Sequence, residues 1–183
     1  MYYPMNIAGV ERQLPICRVN DDLYIAGFVI LGDIELTVKA AEALNKLAPD
    51  YDYAITAESK GIPLLHEMTR QCGRQKYILA RKKSKLYMSN PYEHKVQSIT
   101  TEGEQTLYLD GEDMELMKGK RILIVDDVIS TGASLEALED LVKAAGGNIV
   151  GKMTILAEGD AADRDDIIYL EKLPLFNADG TQK

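Results

Sequence analysis

The chain has 183 residues, 46% of them apolar and 27% charged, which suits one domain with a sizeable core and excludes a disordered or fibrous chain. Its 21 basic and 29 acidic side chains leave a net charge of -8, which disfavours a nucleic-acid backbone or an anionic membrane surface as partner. Two cysteines, Cys17 and Cys72, make neither a disulfide framework nor a zinc site, and with no basic and apolar leader and no apolar run of about eighteen residues the expected address is the cytoplasm.

From about Leu14 to Leu31 apolar and polar residues alternate irregularly, as one or two strands or an extended cover would. Asp33 is an N-cap candidate for a helix carrying Ile34, Val38, Ala41, Leu44 and Leu47 on one face and closed by Pro49. Tyr53 to Ala57 is a short apolar run with polar flanks, the pattern of a buried parallel strand. Ile62 to Cys72, stopped by Gly73, follows as a helix, and Tyr77 to Ala80 as a second buried strand. Between Arg81 and Lys118 the pattern becomes short alternating pieces with Gly-containing turns, which predicts a long antiparallel excursion. Arg121 to Val125 is the clearest strand, Leu135 to Ala145 before Gly146-Gly147 a helix, Ile149 to Leu156 a strand, and Ile167 to Leu170 a candidate last one. Alternating strands and helices predict an α/β fold, a doubly wound and mostly parallel sheet with helices on both faces. Ligands of such sheets gather at the carboxyl ends of the strands. The expected organisation is a single domain over 1–183, with its core over about 33–156, a hood or cover from 1–32 and 157–176, and a frayed tail over 177–183.

Ile122 to Ser134 (ILIVDDVISTGAS) joins a buried strand to two acids, a small-residue loop and a helix start. Backbone N-H groups from Ser130 to Ser134 at a helix N-terminus form a concavity for a phosphate dianion, and Gly132 lets the backbone come close. The hydroxyls of Ser130, Thr131 and Ser134 can donate to phosphate oxygens. Asp126 and Asp127 stand at the edge of this loop, placed to accept from a vicinal diol such as that of a ribose. A bare strand and capped helix would account for Thr131 or Ser134 as caps, but not for the acid pair together with the whole loop. Neither a G-x-x-x-x-G-K-[ST] nor a G-x-G-x-x-G phosphate loop is present.

The thirteen-residue pattern resembles the phosphoribosyl pyrophosphate motif of the type I phosphoribosyltransferases. Thr56 to Pro63 (TAESKGIP) is similar to the pyrophosphate loop of the adenine and xanthine members, with Lys60 where the adenine enzymes carry arginine. Read without the resemblance, it is a polar turn with Ser59 as N-cap. Arg81-Lys82-Lys83-Ser84-Lys85-Leu86 resembles the R-K-x-x-K-L segment of the same purine enzymes; a cation run is otherwise a solvated face. Val96 to Asp110 resembles the mobile loop that closes over the reacting centre, but Thr101-Glu102-Gly103-Glu104 departs from the Glu-Tyr-Gly stretch of the adenine enzymes. The order of Val96, Ser98 and Thr100 is closer to the xanthine enzymes.

The resemblance implies transfer of the phosphoribosyl group of phosphoribosyl pyrophosphate to a purine base, giving a nucleoside 5'-monophosphate and pyrophosphate. It implies a hood and a flexible antiparallel loop added to the sheet, and a homodimer in purine salvage. Asp126 and Asp127 are the expected catalytic pair. Ser59, Lys60, Gly61, Arg81, Lys82 and Lys85 would bind the pyrophosphate end. Val128, Ile129, Ser130, Thr131, Gly132, Ala133 and Ser134 would bind the ribose phosphate. Glu102 or Glu104 would handle a proton in the mobile loop. Mg2+ is the implied cofactor, held by substrate oxygens and water, possible near Asp126 and Asp127. Adenine is the first expectation for the base and xanthine or another 6-oxopurine the second. A reading from another class is a sensor of phosphoribosyl pyrophosphate without turnover. His66 and His94 read as satisfied or solvated, and Glu158 to Asp160 with Asp163-Arg164 as either a base-pocket edge or a polar turn.

Overall fold

The computed structural model describes residues 1–96 and 105–183. Its centre is a five-stranded sheet in the order β10-β9-β8-β4-β5, formed by β4 (Tyr53–Ala57), β5 (Ile78–Ala80), β8 (Arg121–Ile129), β9 (Asn148–Glu158) and β10 (Ile168–Leu173). All four pairings in it are parallel. Helices α1 (Ile34–Leu47) and α2 (Gly61–Gln71) pack with Leu123, Val125 and Ile155 on one face. Helices α3 (Gly111–Met117) and α4 (Ala133–Ala144) pack with Ile122, Ile124 and Ile55 on the other. This is the doubly wound arrangement, and the near-continuous apolar runs of β4 and β8 follow from burial on both faces. α1 starts where expected: Asp33 Oδ1 accepts from the Leu36 N-H at 3.1 Å, and the extended Ala48 ends it before Pro49.

The chain runs outward from β4 to β5 and then returns to the far side of β4 to lay down β8. The order therefore reverses between β4 and β8, and a crevice opens at their carboxyl ends.

A second sheet forms the cover. β1 (Tyr2–Ile7), β2 (Val10–Arg18), β3 (Tyr24–Ala26) and β11 (Leu175–Phe176) pair antiparallel in the order β1-β2-β3-β11. The region expected to begin at Leu14 thus begins at Tyr2, as a hairpin that turns through Ala8 and Gly9, both at positive φ. Residues 177–183, expected to fray, turn back on the sheet: the Lys183 N-H donates to Leu175 O at 2.8 Å and the Asn177 N-H to Thr181 O at 2.8 Å.

The excursion from Arg81 is only partly antiparallel. It holds one hairpin, β6 (Tyr92–Val96) with β7 (Gln105–Leu109), and then α3, which Asp110 caps by accepting from the Glu112 N-H at 3.1 Å. β8 also outruns its apolar stretch. It continues through both acids and remains paired with β9 as far as Ile129 opposite Ala157.

Candidate active site

A cleft of about 510 Å³ lies over the crevice between β4 and β8. Three groups of residues wall it. The turn after β4 supplies Glu58, Ser59 and Lys60; the end of β8 and the start of α4 supply Asp126, Asp127, Val128, Ser130 and Ser134; the cover sheet supplies Ile25 to Val29 with Leu173. A smaller recess of about 40 Å³ sits within the Ser130–Ser134 loop itself. Gly132 holds φ +87° as N-cap of α4, so the turn needs a residue free of a Cβ there. The hydroxyl-bearing residues Ser130, Thr131 and Ser134 are exposed around it, whereas the Ile129 side chain is buried in the core. Ile129 therefore offers the loop only its backbone.

The acid pair is unusual in its surroundings. Asp127 is 5% exposed and Asp126 half-buried, and Asp126 Oδ1 accepts from the Asp127 N-H at 2.9 Å. Asp127 Oδ2 is buried without a hydrogen bond and has Lys60 Nζ at 4.0 Å. Removal from water, and then the neighbouring charge of Asp127, pushes the Asp126 carboxyl up to about 7. Removal from water also raises Asp127, against the attraction of Lys60. A carboxyl that binds its proton more tightly folded than unfolded makes stability fall with rising pH between its two pKa values. These groups are therefore expected to cost the unliganded protein stability as pH rises from about 4 to 7, and Asp126→Asn to reduce that loss. At pH 8 the variant should be the more stable by ~1–4 kcal/mol, read from urea unfolding at the two pH values.

Gly61, expected at the substrate, also leaves room for Thr56 and Asp126. A Cβ on it would lie 2.1 Å from Thr56 Oγ1 and 3.3 Å from Asp126 Oδ1, so α2 can start this close to Thr56 of β4 only with glycine at its first position. The cation run divides. The guanidinium of Arg81 is committed to Glu58 Oε1 at 3.1 Å and to Tyr87 Oη, and its backbone bridges Tyr108. Lys82 is the member of the run that joins the cleft wall, with its N-H donating to Glu58 Oε2 at 2.9 Å. The backbone N-H of Lys82, then the hydrogen bond and charge of Arg81 and the charge of Lys85, hold Glu58 below the ordinary glutamate range against its burial, and Lys85 is not among the residues that wall the cleft. Glu102 and Glu104 lie outside the described residues. The cleft is also lined by Glu58 and by Ile25 to Val29, which sequence reasoning did not place among the binding residues, and by Leu173 and Glu158, the latter read from sequence as either a base-pocket edge or part of a polar turn. Glu158 ends β9 at the crevice. Burial raises its carboxyl, Lys60 opposes that rise, and it has no hydrogen bond to another described residue.

The arrangement separates two kinds of anion site across one carboxylate pair. The glycine loop and helix start offer N-H and O-H donors on one side; Lys60 and Lys82 offer ammonium groups on the other. A metal ion fits this site only in part. Asp127 Oδ2 is an unpartnered oxygen facing Lys60, but among the described residues no three His, Cys, Asp or Glu side chains gather to hold a cation. Such a donor set suits Mg2+ that arrives on substrate oxygens and keeps water. No helix among the described residues is long and apolar enough to cross a membrane.

Comparison with known proteins converges on one family. The model of the phosphoribosyl transferase domain matches residues 39–177. A hypoxanthine/guanine phosphoribosyltransferase of Methanothrix soehngenii is 31% identical over 62% of this chain and 56% of its own length. An adenine phosphoribosyltransferase of Thermotoga petrophila is 36% identical over 55% of this chain and 56% of its own length. The chain thus spans just over half the length of these two relatives. A longer match, 32% identical over 85% of this chain and 80% of the relative, is to a hypoxanthine/guanine phosphoribosyltransferase of Methanocella paludicola. Among solved structures, an adenine phosphoribosyltransferase of Rhodothermus marinus superimposes with a TM-score of 0.65 at 22% identity, covering 94% of each chain, a likeness of fold.

Proposed function

The chain belongs to the phosphoribosyl transferase domain family, and on that premise we propose that it is an enzyme of purine salvage that transfers the phosphoribosyl group of phosphoribosyl pyrophosphate to a purine base. One observation carries the reading: the acid pair lies between an uncharged anion loop and a pair of lysines, within a single cleft. Phosphoribosyl pyrophosphate has the matching order of groups, a phosphate, a diol and a pyrophosphate.

In this reading the N-H groups of Ser130 to Ser134 hold the 5'-phosphate, and Asp126 and Asp127 accept from the ribose hydroxyls. As the bond to pyrophosphate breaks, positive charge grows on the ring and meets the negative potential of the pair. Lys60 and Lys82 receive the leaving anion, and Arg81 acts through Glu58 to fix the turn that carries Lys60. Bound Mg2+, with substrate oxygens and water as its main ligands, would neutralise charge on the pyrophosphate. The cover keeps water from the reacting carbon, with Phe28 and Leu173 as its apolar wall. Glu102 and Glu104, which lie outside the described residues, remain the candidates for proton transfer.

Adenine is our first choice of base. Glu158 lines the cleft beside the cover, and its carboxyl oxygens, which make no hydrogen bond to another described residue, can accept from an exocyclic amine. The hypoxanthine/guanine relatives keep the 6-oxopurines as the second choice. Incubating each of adenine, hypoxanthine, guanine and xanthine with Mg2+ and phosphoribosyl pyrophosphate, and weighing the product, decides between them. Binding of phosphoribosyl pyrophosphate with no base consumed would make the protein a sensor. We also propose a cytoplasmic homodimer, joined through the exposed apolar strip of Val29, Leu31, Ile34 and Val38 beside the cleft.

The lysines give a prediction that separates the two anion sites. Lys60→Ala and Lys82→Ala are each expected to weaken phosphoribosyl pyrophosphate by about 10-fold and the nucleoside monophosphate, which lacks the pyrophosphate, by much less. Calorimetric titration with both ligands checks this, and equal losses would place the lysines elsewhere.

A further inference from the structure

No lysine or arginine occurs between Asp126 and Ser134, so the anion loop carries no cation of its own. One reaches it from a different part of the chain. We propose that Arg164, in the turn between β9 and β10, is a binding residue of the 5'-phosphate site, holding the loop in shape and directing an N-H donor at its anion. The proposal rests on the reading of the Ser130–Ser134 loop as the phosphate site.

The guanidinium lies against the loop at its one left-handed residue: a Cβ built on Gly132 would meet Arg164 Nη1 at 2.9 Å. Its orientation is imposed from behind. Nε and Nη2 donate in parallel to the two oxygens of Asp166, each at 2.8 Å. Asp166 also receives Lys152 Nζ at 2.6 Å, and the same Nζ reaches Glu139 of α4 at 2.9 Å. The chain of ion pairs therefore returns to the helix whose first turn makes the loop. A guanidinium used bidentately through Nε and Nη2 presents Nη1 on its other edge, and among the described residues Nη1 makes no hydrogen bond. Glu136 and Glu139 also act on this guanidinium, and Lys143 offsets Glu139 at 3.6 Å. What Arg164 adds is thus a directed donor more than net positive charge. A lysine could not replace it fully, because one ammonium cannot both fork onto Asp166 and face Gly132.

The test titrates ribose 5-phosphate and inorganic pyrophosphate separately into the wild type, Arg164→Gln and Arg164→Lys, with a thermal melt of each. Arg164→Gln is expected to weaken ribose 5-phosphate by about 10-fold and leave pyrophosphate unchanged, with Arg164→Lys between the two proteins. Equal losses for both ligands, or no loss for ribose 5-phosphate, would overturn the role of Arg164. If Arg164→Gln melts well below the wild type, Asp166→Asn decides instead. It keeps the cation but releases its orientation, and no selective loss of ribose 5-phosphate there overturns the proposal. A wild-type protein that binds pyrophosphate but no ribose 5-phosphate refutes the loop reading itself, and this proposal with it.

Discussion

Replacing Gly132 with valine is expected to reduce affinity for ribose 5-phosphate by about 100-fold or more, the equivalent of losing two charge-assisted N-H bonds, while the protein still folds. Two independent obstacles meet at this residue. Its φ of +87° lies in the left-handed region, where a β-branched residue is a genuine outlier and a non-glycine residue costs roughly 1–2 kcal/mol. A Cβ would also press on Arg164 Nη1 at 2.9 Å, a group anchored by Asp166 and unable to withdraw freely. The loop can relieve both only by turning N-H groups away from the recess. The clash comes from the arginine side of the loop, which a reading of the motif alone did not supply. Gly132→Ala, with the same angle and less bulk, should fall between wild type and valine. Calorimetry showing unchanged affinity in a folded Gly132→Val protein would remove this loop as the phosphate site.

The acid pair should behave differently, losing turnover before binding. If Asp126 and Asp127 only held the ribose hydroxyls, asparagine would raise KM and spare kcat, since an amide can still accept from a hydroxyl. If they also stabilise positive charge on the ring, the neutral isostere must lower kcat. The second outcome is expected, with a loss on the order of 10- to 1,000-fold for the more important member. We assign the larger loss to Asp127, the more deeply buried member, whose Oδ2 makes no hydrogen bond and whose charge is therefore the less screened of the two. Single-turnover kinetics of Asp126→Asn and Asp127→Asn at saturating substrate, alongside thermal melts, measure it. Two folded variants with wild-type rates would leave the pair a positioning role only. Read with the pH prediction above, Asp126→Asn should then gain stability as it loses rate, because the buried charge that destabilises the unliganded fold is the one used on the ring.

How far the chain could be read without coordinates depended on how much of its signal was local. The runs at Tyr53–Ala57 and Arg121–Val125 are buried on both faces, so composition alone marks them as central strands. The loop from Ser130 to Ser134 and the acid pair are contiguous in sequence and were legible together. The cover sheet was not. β3 has three residues and β11 two; β11 is a strand through β3, some 150 positions away, and β3 is too short to show a period of its own although it pairs with β2 as well. α3 was missed for a related reason: seven residues with Met117 the one buried side chain have no apolar period to detect. The end of β8 was hidden because acids broke the apolar run while ladder bonds to β9 carried the strand on. Gly61 and Arg81 were expected at the substrate on their resemblance to loops of the purine enzymes, and the fold adds what holds each in place. Gly61 is fixed by the need to clear Thr56 and Asp126, and Arg81 by its pair with Glu58, contacts that only the fold reveals.

The cover joins segments some 150 positions apart, since β3 is paired on one side with β2 and on the other with β11. During synthesis the phosphate loop and both acids are complete well before Leu175 and Phe176 leave the ribosome. The segment Ile25–Val29 has no partner on its β11 side until they do. A nascent chain can therefore acquire its anion-binding half while the half that shields the reacting carbon is still unfinished. β11 acts as the closing stitch, so the shielded cleft becomes available only once Leu175 and Phe176 have been made.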